Sequence, residues 1–227
     1  MPYRKEVLVT DEIYHVFNRS VNRQPIFHTQ RECQRFYDLI DFYRFSDPKD
    51  RFSHYNRLPL EARVAFFSKL KSSQARLVDI LAFSIMPNHY HLILRQLQEG
   101  GLSSFSRKIQ NGFAKYYNIK SGRFGSVFQA MFKAVRVETE DQLIHVVRYT
   151  HLNPVTGFIL RDVAELITYP WTSFSMYMND SLDTFIETKT VLSQFSTKKL
   201  FREFTFDQAD YQRTLAFNAH LLHDPDV

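Results

Sequence analysis

Apolar and polar residues alternate from Asp11 to Ser20: Ile13, His15 and Phe17 fall on one side, Tyr14 and Val16 on the other, the period of a strand. Asn18, Arg19, Asn22 and Arg23 form a polar exit at its end. The period then changes to that of a helix. Thr29 is placed to cap a segment running to about Arg44, whose Phe36, Leu39, Ile40 and Tyr43 keep helical spacing. Phe45 to His54 is polar, broken by Ser46-Asp47-Pro48, and reads as a loop. A second helix, roughly Leu60 to Ser72, follows Leu58-Pro59 and carries Val64, Phe66, Phe67 and Leu70. These two pieces, about 45–74, interrupt the pattern as an insertion. Leu77 to Met86 is a nearly continuous apolar run, expected to be a buried strand. Pro87-Asn88 turns the chain, and His89 to Arg95 returns as another strand.

Beyond Gly100-Gly101 a helix is predicted over Leu102–Ile119, with Phe105, Ile109, Phe113 and Tyr116 as its stripe, then a loop over Lys120–Ser126. Val127 to Val137 ends in a strand, best formed from Phe132. Thr139 and the acidic Glu140-Asp141 open a helix that carries Leu143, Ile144, Val146 and Val147 inward. Pro154 restricts the residue before it, so this helix is expected to end near Asn153. The tail is polar, with short helices predicted near Lys189–Gln194 and Asp207–Leu222. The order is that of an α+β protein with a split βαββαβ core and an antiparallel sheet in residues 1–177. Residues 178–227 form a helical C-terminal extension.

Composition narrows the class. The 227 residues, 44% hydrophobic with 22 phenylalanines, suffice for one domain with extensions. No apolar run approaches a membrane span, the first residues are too polar for a signal peptide, and the single Cys33 excludes an internal disulfide or a cysteine zinc site. A cytoplasmic protein is expected. The net charge of +5 is concentrated: Arg107, Lys108, Lys115, Lys120, Arg123, Lys133 and Arg136 lie between Gly100 and Val137 with no acidic residue among them. Phe105, Phe113, Tyr116, Tyr117, Phe124, Phe128 and Phe132 are interleaved with these charges. Cations contact phosphates and aromatic faces stack on unpaired bases, so the mixture suits single-stranded or hairpin nucleic acid, although most of the aromatics are expected to be core.

The chemistry centres on Pro87-Asn88-His89-Tyr90-His91. On a strand, His89 and His91 share a face with Tyr90 opposite, and two imidazoles there can hold a divalent metal or a phosphate oxygen. His15 could approach this site or simply be a packed strand histidine. In the helix before Pro154, His145, Tyr149 and Asn153 are spaced i, i+4, i+8. If that helix packs beside the histidine strand, Tyr149 could attack phosphorus while a metal polarises the phosphate, with Asn153 as an oxygen ligand. An oxygen ligand and water-filled positions favour Mg²⁺ or Mn²⁺ over a closed zinc site. His145 and His151 are left as structural or DNA-proximal.

Met86-Pro87-Asn88-His89-Tyr90-His91-Leu92-Ile93-Leu94 resembles the HUH motif, and Arg148-Tyr149-Thr150-His151-Leu152-Asn153-Pro154-Val155 resembles the tyrosine motif of single-tyrosine HUH transposases. With Tyr169-Pro170-Trp171-Thr172-Ser173, the chain from about 8 to 177 is most similar to the REP-associated tyrosine transposases within that superfamily. The resemblance implies a ferredoxin-like domain that nicks single-stranded DNA through a 5′-phosphotyrosine and rejoins strands by attack of a 3′-hydroxyl. It implies Tyr149 as nucleophile, His89, His91 and Asn153 as ligands of Mg²⁺ or Mn²⁺, and hairpin DNA as partner. Arg107, Lys108, Lys115, Lys120 and Arg123, joined by Arg19 and Arg23, are the candidate DNA contacts. Monomer and homodimer both remain open, and the insertion and tail are assigned no function. A hairpin DNA- or RNA-binding regulator that no longer cuts is the competing reading. A replication initiator or relaxase with the same histidine pair is a third, disfavoured by the short chain.

Overall fold

Each face of the central sheet is built from one half of the alternation described above. The computed structural model describes residues 7–46, 51–73, 75–180, 184–209 and 211. Strands β1 (Ile13–Arg19), β2 (Val78–Met86), β3 (His89–Gln96) and β4 (Lys133–Val137) form one sheet of order β2-β3-β1-β4, antiparallel at every pairing. With helices α1 (Gln30–Tyr43) after β1 and α4 (Gly101–Ser121) after β3, this is the split βαββαβ arrangement.

Tyr14, Val16, Tyr90, Leu92 and Leu94 bury one face of the sheet under α1 and α4, where Phe36, Phe113 and Phe128 close around Tyr90. The Tyr90 hydroxyl accepts from Gln110 Nε2 at 2.6 Å, so its one polar atom is satisfied in the core. Thr29 precedes α1 as its N-cap, and its backbone N–H is received by the Glu32 carboxylate at 2.8 Å. That carboxylate also holds Lys120 at 2.6 Å, which ties the two helices together. The insertion folds as the short α2 (Phe52–Tyr55) and α3 (Leu60–Ser73); Phe52, Tyr55 and Phe66 gather around Phe42 of α1. Phe52–Tyr55 was expected to be loop. The breaker at Asp47-Pro48 lies outside the described residues.

The opposite face carries α5 (Glu140–Thr156), capped by Thr139 Oγ1, which accepts the Gln142 N–H at 3.1 Å. This helix does not stop at Asn153. Pro154 lies in its last turn, and the chain continues to Thr156 because Gly157 N still reaches Asn153 O at 2.8 Å. The proline removes only the bond to Thr150 O, towards which Asn153 Nδ2 points at 3.5 Å.

After α5 the chain returns along the outer edge of β2. Ile85 N bonds to Trp171 O and Ser173 N to Phe83 O, so Trp171–Ser173 forms a strap beside that strand. Helices α6 (Phe174–Met178), α7 (Lys189–Leu192) and α8 (Lys198–Phe206) follow. Tyr177 and Phe201 are fully buried, stacked on each other and set edge-on to His151. The segment after 177 therefore belongs to the same core as α5. α8, not predicted from the sequence, ends before the helix predicted at Asp207–Leu222, most of which lies outside the described residues. Among the described residues no helix is long and apolar enough to cross a membrane.

Candidate active site

The face of the sheet covered by α5 presents His15 and Phe17 of β1, His89 and His91 of β3, and Arg19 at the end of β1. Register fixes these neighbours: Phe17 lies opposite His91, and Arg19 opposite His89. The His89 and His91 rings are 5.0 Å apart between centroids. Each ring has its Nδ1 engaged. His89 Nδ1 is 2.6 Å from Asn88 Oδ1, a group that can only accept, so this nitrogen carries the proton. His91 Nδ1 is 2.8 Å from His15 Nε2. In both ligand candidates Nε2 is the nitrogen that takes no part in these contacts.

The Pro87-Asn88 turn is the hub that sets the start of β3. Pro87 O accepts the N–H groups of Ile26 and Phe27, Asn88 O accepts that of Ser20, and Asn88 Nδ2 donates to Arg23 O at 3.1 Å. The chain at Asn22 and Arg23 takes left-handed φ values of 57° and 54° to make this approach. One asparagine thus joins the polar exit of β1 to the first histidine.

Tyr149 stands on α5 with its ring edge-on to His91 at 5.6 Å and to His15 at 6.1 Å, while 42% of the residue stays exposed. Its neighbours on the helix fasten it. Arg148 packs flat on Phe204 and donates to Phe204 O at 3.2 Å, and His151 Nε2 meets Ser173 Oγ at 2.8 Å. Burial pushes His15 and His89 down to about 4 and His91 well below its ordinary value. His91 is lowered further by His89, His15 and Arg19. All three rings are therefore neutral at pH 7, the form that can bind a cation. Burial raises the Tyr149 phenol and the Arg19 charge opposes that rise.

The predicted site residues separate into groups. His89, His91 and Tyr149 come together, and Arg19 stands beside them. Asn153 does not share the exposure of Tyr149: each step of four residues turns an α-helix about 40° past a whole turn, so Asn153 is rotated about 40° from Tyr149 and about 80° from His145. This moves Asn153 to the buried side, while His145 stays exposed. His151 is structural. Arg23 lies in the turn after β1, and Arg123 follows the end of α4, whose Tyr117 hydroxyl reaches Pro25 O. Arg107, Lys108 and Lys115 lie along α4, on the other side of the sheet from Tyr149. Lys120 is about 20 Å along that helix from Arg107 and is committed to Glu32. Among the described residues no three His, Cys, Asp or Glu side chains form a ready metal cage. The donor set is therefore an open pair of imidazoles, which fits a cation that keeps several waters. Sequence reasoning favoured a packed strand histidine at His15; its pairing with His91 depends on strand register, which alternation does not specify.

The sequence matches no protein-family model and no curated protein. Among solved structures it is similar to a REP-associated tyrosine transposase bound to a REP hairpin, at a TM-score of 0.53 and 19% identity over 82% of this chain and 90% of that one. The chain has the fold of a REP-associated tyrosine transposase. The antiparallel sheet expected from the sequence pattern is consistent with that fold.

Proposed function

We propose that the protein is a metal-dependent endonuclease and strand transferase, a transposase acting on hairpin-associated single-stranded DNA through a 5′-phosphotyrosine on Tyr149. The observation that carries this reading is the Tyr149 ring against His91, with the His89 ring 5.0 Å away and the Nδ1 of each histidine engaged elsewhere. The fold shared with a transposase supports it. His89 and His91 would hold Mg²⁺ or Mn²⁺, with Asn153 as proposed third ligand. When bound, such an ion would draw charge from the non-bridging oxygens of the scissile phosphate.

Tyr149 Oη forms the new bond to phosphorus and gives up its proton, while the bond to the 3′ oxygen breaks and that oxygen gains one as a free 3′-hydroxyl. A second 3′-hydroxyl attacking the phosphotyrosine releases Tyr149 and rejoins DNA with no external energy source. Arg19, beside both histidines, stabilises the developing phenolate and contacts the phosphate. Arg23 and Arg123 extend this cationic end, and Arg107, Lys108 and Lys115 offer a further phosphate track along α4. A DNA substrate places the protein in the cytoplasm.

The test is incubation with a labelled, hairpin-bearing single strand and Mn²⁺ or Mg²⁺, followed by a denaturing protein gel. A covalent protein–DNA band that requires metal and disappears in Tyr149→Phe is the expected result. Tight binding to several hairpins with no band would leave a non-cutting hairpin-binding regulator. A band that survives Tyr149→Phe would mean another nucleophile.

A further inference from the structure

His15 is separated from the histidine pair by 74 residues or more in sequence, yet its Nε2 lies 2.8 Å from His91 Nδ1. The strand register explains how. His15 faces Ile93 across the β1–β3 pairing, and His91 lies two residues along the same face, a diagonal neighbour that long side chains reach. The rings stack with centroids 5.1 Å apart, Phe17 closes on both, and Tyr149 meets both edge-on.

Only two tautomer pairs satisfy the contact. If His15 Nε2–H donates, His91 Nδ1 must be a bare acceptor, so its proton sits on Nε2 and the ring presents no lone pair to an ion. If His91 Nδ1–H donates, His15 Nε2 accepts and His91 Nε2 is open. His89 is set the same way by a different partner, since Asn88 Oδ1 can only accept. In the second pair His91, like His89, has its Nδ1–H held by an acceptor and its Nε2 open.

We infer that His15 is a positioning residue: by accepting the Nδ1–H of His91 it holds that ring in the tautomer and orientation that present Nε2 to a divalent cation, and it braces the edge of Tyr149. This rests on the proposed role of His91 as a metal ligand. It gives β1 a part in the site that neither sequence motif contains. Hydrogen-bonded partners of this kind contribute about 10–100-fold to metal affinity.

The experiment uses the full chain. Long-range ¹H–¹⁵N spectra of the metal-free protein report imidazole tautomers directly, and His91 protonated on Nδ1 is expected. Protonation of His91 on Nε2 overturns the proposal, whatever the variants do. Mn²⁺ affinity is then measured by paramagnetic resonance for wild type, His15→Phe, His15→Gln and His91→Ala, with thermal melts on the same samples. His15→Phe should weaken Mn²⁺ binding about 10–100-fold. His15→Gln, whose Oε1 can accept the same N–H, should restore most of it. Equal affinity in wild type and His15→Phe, or equally weak binding in His15→Phe and His15→Gln, overturns the positioning role. Unchanged Mn²⁺ binding in His91→Ala overturns the parent reading instead, and so separates the two failures.

Discussion

A buried histidine with one polar neighbour has consequences that a solution assay can reach. His151 is fully buried against Phe174, Tyr177 and Phe201, and burial lowers it to about 3. An unfolded histidine titrates near ~6.5, so between these values the unfolded chain takes up a proton that the native chain refuses. The stabilisation is complete above about pH 6.5 and is lost as the pH falls towards 3, on the order of 1 kcal/mol per pH unit. Chemical denaturation at a series of pH values should show that slope. His151→Gln, which can still donate to Ser173 Oγ and does not titrate, should lower the slope by that amount. The site histidines, also held down by burial, leave a residual slope. An unaltered slope in His151→Gln would show that His151 is not responsible.

Among elements, the strands and the caps were legible because they depend on near neighbours. Alternation located β1, the apolar run located β2, and Thr29 and Thr139 marked where α1 and α5 begin. The end of α5 was not legible: a proline in the last turn removes one hydrogen bond, and Gly157 and Leu160 continue to cap the helix beyond it. The basic stripe of α4 was visible as composition, but its side of the sheet is decided by which helix faces pack, so Arg107 and Tyr149 ended up on opposite sides. Asn153 was read from a four-residue rhythm that drifts with each turn, so it is buried where Tyr149 on the same helix is exposed. α4 also depends on a close approach at its start. A Cβ at Gly101 would lie 2.6 Å from Leu77 O, an atom already receiving Leu97 N. Gly101→Ala should therefore cost about 1–3 kcal/mol. At about 2–4 °C per kcal/mol for a chain of this size, a thermal melt would register it. An unchanged melting temperature would mean that the helix start shifts freely.

At the scale of the whole molecule, the tail, left without a function in the sequence, turns out to support the tyrosine helix. α8 receives Arg148, the strap receives His151, and Tyr149 between them is aimed at histidines of its own chain. A helix held on both sides in this way keeps its tyrosine beside the histidines of its own chain. The consequence is genetic. Under the proposed mechanism, two null alleles, one Tyr149→Phe and the other His91→Ala, should fail to complement when expressed together in one cell. The yield of covalent protein–DNA adduct should be no greater than from either allele alone. Recovery in the doubly transformed cell would show a tyrosine working in trans, against this arrangement of α5.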